Sequence, residues 1–144
     1  MEINGLPLHP LVVHAAVIFG PIGALTAILY AVVPRLHELL RWPMLVLALL
    51  ATGSIVVAYL SGNDFLDSRP ELGASPQVQT HEQRAENLLW ATLVFGVVAI
   101  GAAILHPRQG GVRIAVSAVL MLSAAAVLVL VILTGDAGAR AVWG

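Results

Sequence analysis

The sequence predicts an all-α integral membrane protein, a four-transmembrane-helix antiparallel up-down bundle that occupies residues 1–144 as one domain. Three observations carry that prediction. Of 144 residues, 59% are hydrophobic and 10% charged, with mean hydropathy +0.93; a soluble domain has roughly 45–50% apolar and about 25% charged residues. Four stretches, 10–33, 43–62, 87–105 and 114–134, contain no Asp, Glu, Lys or Arg, and each supplies the roughly 20 residues that a helix needs to cross a hydrocarbon core of about 30 Å. The connections between them are short enough to make neighbouring spans antiparallel.

In the first span, Pro10 suits a first helical turn, where its missing N–H costs no hydrogen bond. The segment lacks a basic start and a convincing cleavage site after Val33, so it reads as a retained helix, not a signal peptide. Ala16, Gly20, Gly23, Ala27 and Ala31 form a stripe of small residues on one face. Such stripes let helices approach closely in lipid. The second span opens at Pro43 and stops at Gly62, and its small face, Ala48, Ala51, Thr52 and Ile55, is the least regular. For the third span, Thr80 and Gln83 have capping-box spacing, and Thr92, Gly96, Ala99 and Ala103 make the packing stripe. In the fourth, Ala115, Ala118, Leu122 and Ala125 are the expected contact face, and Gly135 the stop. Trp42, Trp90 and Trp143 read as interface-belt residues. No internal repeat, low-complexity run or linker is evident.

Charge sets the expected orientation. The two short loops carry Arg35, Arg41, Arg108 and Arg113 against one acid, Glu38, whereas the other acids lie at the termini and around the long 63–80 loop. The positive-inside rule then puts the short loops in the cytoplasm and both termini on the outer side of a bacterial inner membrane. A net charge of −1, with arginine as the sole basic residue type, leaves no basic surface for nucleic acid. The absence of cysteine removes disulfides, thiolate metal sites and cysteine nucleophiles.

The remaining chemistry rests on histidines and carboxylates. Helical spacing puts His9 over the small stripe of span one, lines His81 up with Thr92, Ala99 and Ala103, and places Asp136 on the line of Ala118, Ala125 and Val129. All three fall at the outer end, so His9, His81 and Asp136 either cap helices and hydrogen-bond the long loop or form a candidate metal site. Zn or Cu suits imidazole with carboxylate, and paired histidines suit the axial positions of haem b. His14 lies about 140° from His9 around the helix. It is a third candidate cofactor ligand, set against a histidine merely bonded to a carbonyl. His37 and His106 read as interfacial loop residues. No ionisable residue sits at mid-membrane, which argues against a proton path or transporter.

The opening Asn4-Gly5-Leu6-Pro7-Leu8-His9-Pro10-Leu11-Val12-Val13-His14, the histidine His81 at the third span, and the tail Thr134-Gly135-Asp136-Ala137-Gly138 with Val142-Trp143-Gly144 resemble a bacterial four-helix membrane family. It is catalogued as domain of unknown function 2231. The resemblance covers essentially the whole chain and implies a four-helix fold and a place near respiratory electron transfer. The sequence departs from the family pattern at Asp136, at Ala139-Arg140 and at Pro21. Two functions compete. One is a carrier of haem b, or a site for Zn or Cu, at the outer face. The other is a cofactor-free accessory subunit of a homo-oligomer or larger respiratory membrane complex. An electron carrier or accessory subunit fits these residues better than an enzyme does.

Overall fold

A computed structural model describes residues 1–144. A two-residue hairpin comes first: β1 (Glu2–Ile3) pairs antiparallel with β2 (Leu6–Pro7). Asn4 and Gly5 both take positive φ, 52° and 78°, which a tight Asn-Gly turn between strands requires. Four long helices follow: α1 (Leu8–Val32), α2 (His37–Asp67), α3 (Pro76–Ile104) and α4 (Gly111–Trp143). Each is long and apolar enough to cross a membrane.

The four-helix prediction holds, and α1 matches its expected span within two residues, but α2, α3 and α4 run well past their apolar windows. α2 is 31 residues and α4 33, roughly 46 and 50 Å at 1.5 Å per residue, against a core of about 30 Å. Gly62 and Gly135 therefore lie inside helices and stop nothing. Pro43 is interior to α2 as well, and the expected capping box is absent, because α3 begins at Pro76 and the Thr80 hydroxyl donates back to the Pro76 carbonyl at 2.9 Å.

α1 packs on α2 and α4, and α3 packs on α4 and α2, so the helices form a ring in chain order. Its interior is filled by Phe95, Met44, Leu120 and Val127, all fully buried. Small residues set the closest approaches: a Cβ on Gly23 would lie 2.9 Å from the Leu47 carbonyl oxygen, and one on Gly96 2.8 Å from Thr52 Oγ1. The stripes expected on α1, α2 and α3 do face inward. That of α4 does not. Ala115, Ala118 and Leu122 are exposed, and Leu120, Ala124, Val127, Val131, Thr134 and Ala137 are buried in their place. In lipid the outer face is as apolar as the inner, so composition could not separate the two.

The bundle contains an internal repeat that identity does not reveal. The buried positions of α1 (16, 20, 23, 24, 27 and 30) recur in α3 at an offset of 72 (88, 92, 95, 96, 99 and 102). Those of α2 from Met44 onward (44, 48, 51, 55, 58 and 61) recur in α4 at an offset of 76 (120, 124, 127, 131, 134 and 137). The chain is thus two helical hairpins with one packing register, arranged about a pseudo-two-fold axis that runs along the bundle. α1 and α3 run in the same direction, so the repeat is parallel, not inverted. The difference between the offsets falls at the short-loop end, where the connection from α3 to α4 is longer.

Candidate functional site

At the end of the bundle that carries both termini, each hairpin seats one histidine in the same way. His9, in the first turn of α1, lies against α2, with Nδ1 2.9 Å from the Ala58 carbonyl oxygen. A Cβ on Gly62 would come within 3.0 Å of its ring. His81 lies against α4, with Nδ1 3.1 Å from the Thr134 carbonyl oxygen, and a Cβ on Gly138 would come within 3.1 Å of the ring. In both cases a glycine four residues beyond the acceptor makes room for the imidazole. Ala58 with Gly62 and Thr134 with Gly138 are repeat equivalents, and so are the histidines.

This geometry fixes the tautomer. A carbonyl oxygen only accepts, so Nδ1 is the donor and Nε2 of each neutral ring keeps its lone pair. No other residue bonds either Nε2, and neither atom is enclosed. An Nδ1–H held by a carbonyl is the arrangement that orients metal-ligating histidines. A cavity of about 170 Å³ adjoins His9, lined by Pro7, Ser61, Asp64, Phe65, Ser68 and Arg69 among others.

The remaining expected members are placed elsewhere. Asp136 belongs to the exposed face of α4 with Val129, and its carboxylate accepts from Arg140 Nε at 2.9 Å with Arg84 Nη1 at 3.7 Å. The interior placement expected for it fails with the α4 stripe from which it was inferred. No group of three or more His, Cys, Asp or Glu side chains converges on a metal-sized point. His14 is exposed on α1 and donates from Nδ1 to the Pro10 carbonyl of its own helix at 2.7 Å. It joins neither imidazole.

The opposite end, at the two short loops, holds a cluster that the sequence reading missed. His37 and His106, at the short-loop end as expected, are buried within the bundle, 5% and 8% exposed. Their rings stack at 4.5 Å with 12° between planes, and the Tyr30 ring stacks on His37 at 4.2 Å. The Tyr30 hydroxyl is 2.8 Å from His106 Nδ1, His106 Nε2 is 2.7 Å from Glu38 Oε1, and His37 Nδ1 is 3.1 Å from the Tyr30 carbonyl oxygen. Arg41 reaches across from α2 and donates through Nε and Nη2 to the Ala103 carbonyl, near the C-terminus of α3. This end breaks the repeat. Tyr30, His37 and Arg41 correspond to Ala102, Arg113 and Ser117, so the two hairpins bring different side chains to one place.

Seats built twice on one register, in four membrane-length helices, bear directly on family. A family model described as a predicted membrane protein, DUF2231, matches residues 5–144. The chain belongs to the DUF2231 family. The match takes in both histidine seats and the glycine-containing end of α4. No curated protein and no solved structure matches the chain.

Proposed function

We propose that this DUF2231 chain is a multi-pass protein of the bacterial plasma membrane that binds a metal-containing group at its termini end through Nε2 of His9 and His81. The observation that carries the reading is the duplicated seat: each Nδ1–H is held by a carbonyl of the neighbouring helix, each ring lies over a glycine, and each Nε2 lone pair is free. A donor pair of neutral imidazoles suits Zn or Cu, and also the axial positions of haem. Phe95, Met44 and Leu120 fill the bundle interior, which favours an ion over a porphyrin.

Bound there, copper or haem would supply one-electron transfer, and zinc would supply Lewis acidity. The chain's own part is to hold the tautomer through Ala58 and Thr134 and to fix ring orientation through Gly62 and Gly138. Asp136, engaged by two arginines, acts outside the coordination sphere. The arginine balance supports an outward-facing site, with the short loops in the cytoplasm.

Metal analysis and oxidised and dithionite-reduced absorption spectra of the detergent-purified protein test this reading, after growth with zinc, copper and a haem precursor. The expected result is a stoichiometric metal that His9→Ala and His81→Ala both remove and His14→Ala leaves in place. A Soret band would identify haem. A wild-type protein free of metal and haem, or histidine variants that keep the wild-type content, would overturn the proposal in favour of an accessory subunit without cofactor.

A further inference from the structure

The His106 imidazole at the short-loop end is engaged on both nitrogens. Glu38 Oε1 lies 2.7 Å from Nε2, and a carboxylate only accepts, so Nε2 carries the hydrogen. Nδ1 of the neutral ring is then an acceptor, and the Tyr30 hydroxyl donates to it at 2.8 Å. Tyr30 has a second acceptor within range, the Ala102 carbonyl oxygen at 3.4 Å. When Nδ1 takes a proton, its N–H donates to Tyr30 Oη and the hydroxyl hydrogen turns to Ala102. Both protonation states keep every polar atom of the triad partnered, and the change between them rotates one hydroxyl.

The surroundings limit the site to one proton. His37 stacks face to face on His106, and Arg113 lines the same small cavity. A second positive charge on His37 would face both cations. Its Nδ1 donates to the Tyr30 carbonyl, and its Nε2 is buried without a partner. His37 and Ser117 are among the residues that line a cavity of about 10 Å³, which is room for one water. Tyr30 from α1, His37, Glu38 and Arg41 from α2, and Arg113 from α4 are the titratable and charged groups around His106. Arg41 is committed to Ala103. Glu38 alone offers a negative charge, and its side chain is 87% exposed while that of His106 is 4% exposed.

We propose that the short-loop end of the bundle is a one-proton site, in which His106 Nδ1 binds a proton from solvent, Glu38 balances the charge and the Tyr30 hydroxyl serves both states. The step adds one proton to one nitrogen lone pair; no covalent bond breaks and no electron moves. The proposal is independent of the histidine seats at the other end.

The test follows imidazole ¹⁵N shifts of the full chain, labelled at histidine, in detergent across roughly pH 5 to 8, the range in which histidine charge changes. His106 is expected to begin as the Nε2–H tautomer and convert to imidazolium, while His37 stays in the Nδ1–H form. Glu38→Gln should move the His106 conversion to lower pH, because the counter-charge is gone. Glu82→Gln, at an exposed site on α3, should leave it unmoved. The exposure of Glu38 keeps its variant folded. Conversion of both histidines together, a His106 that begins as Nδ1–H or never converts, or a Glu38→Gln variant with an unchanged midpoint would each overturn the proposal.

Discussion

Replacing Gly62 with alanine tests whether the glycines make the histidine seats. The added Cβ would stand 3.0 Å from His9 Cε1 and 3.2 Å from Nδ1, where carbon contacts are comfortable at about 3.5–4.0 Å. The ring must give way by a few tenths of an ångström, and a displacement away from α2 weakens the 2.9 Å hydrogen bond to Ala58. Overpacking costs about 1–3 kcal/mol and the weakened hydrogen bond about 0.5–1.5 kcal/mol, while alanine in a helix returns about 0.5–1 kcal/mol. Gly53→Ala supplies the control, since a Cβ there meets nothing within 4 Å; it should stabilise by that last amount alone. Chemical unfolding in detergent should place Gly62→Ala about 1.5–4.5 kcal/mol below Gly53→Ala, with Gly138→Ala similar to Gly62→Ala. Agreement between Gly62→Ala and Gly53→Ala to within about 0.5 kcal/mol would refute the seat.

Further substitutions probe other parts of the frame. Arg41→Gln should cost about 1–3 kcal/mol by removing a charged donor from the Ala103 carbonyl, with poor rescue by lysine, which lacks the fork; the same unfolding assay reads it. Phe95→Ala, at a fully buried ring, should cost about 3–5 kcal/mol. Gly23→Ala should weaken association of α1 with α2, because the clash is with the Leu47 backbone, and crosslinking of cysteines placed across that contact should fall. Since the chain has no cysteine, Glu71→Cys and Gln109→Cys report topology. An impermeant maleimide applied to intact cells should label the first and not the second, and the reverse pattern would invert the orientation.

Hydropathy made the number and order of helices legible, because an apolar run of this length has few other uses. Helix ends were not legible, since α-helical hydrogen bonding continues past the bilayer wherever neighbouring helices go on packing. Gly62 illustrates the error: a glycine near the end of an apolar run suggests a stop, but here it admits an imidazole. The hairpin signal in Asn4-Gly5 was present and unused. The repeat was hidden because equivalent buried positions need equal depth, not equal residues, as Gly20 and Thr92 or Tyr30 and Ala102 show. Identity survives at few pairs, His9 with His81 and Gly62 with Gly138 among them. The alignment of His9 and His81 with the small faces could be read from helical spacing. The burial of His37 and His106 could not, because it depends on the two hairpins meeting.

That dependence gives the molecule an order of assembly. His9 finds Ala58 and Gly62 within the first hairpin, and His81 finds Thr134 and Gly138 within the second, so each seat can close as soon as its own pair of helices has entered the membrane. The stack of Tyr30, His37 and His106 draws on both hairpins. It forms only when the halves dock, and its disappearance would report a chain that is fully inserted yet not assembled.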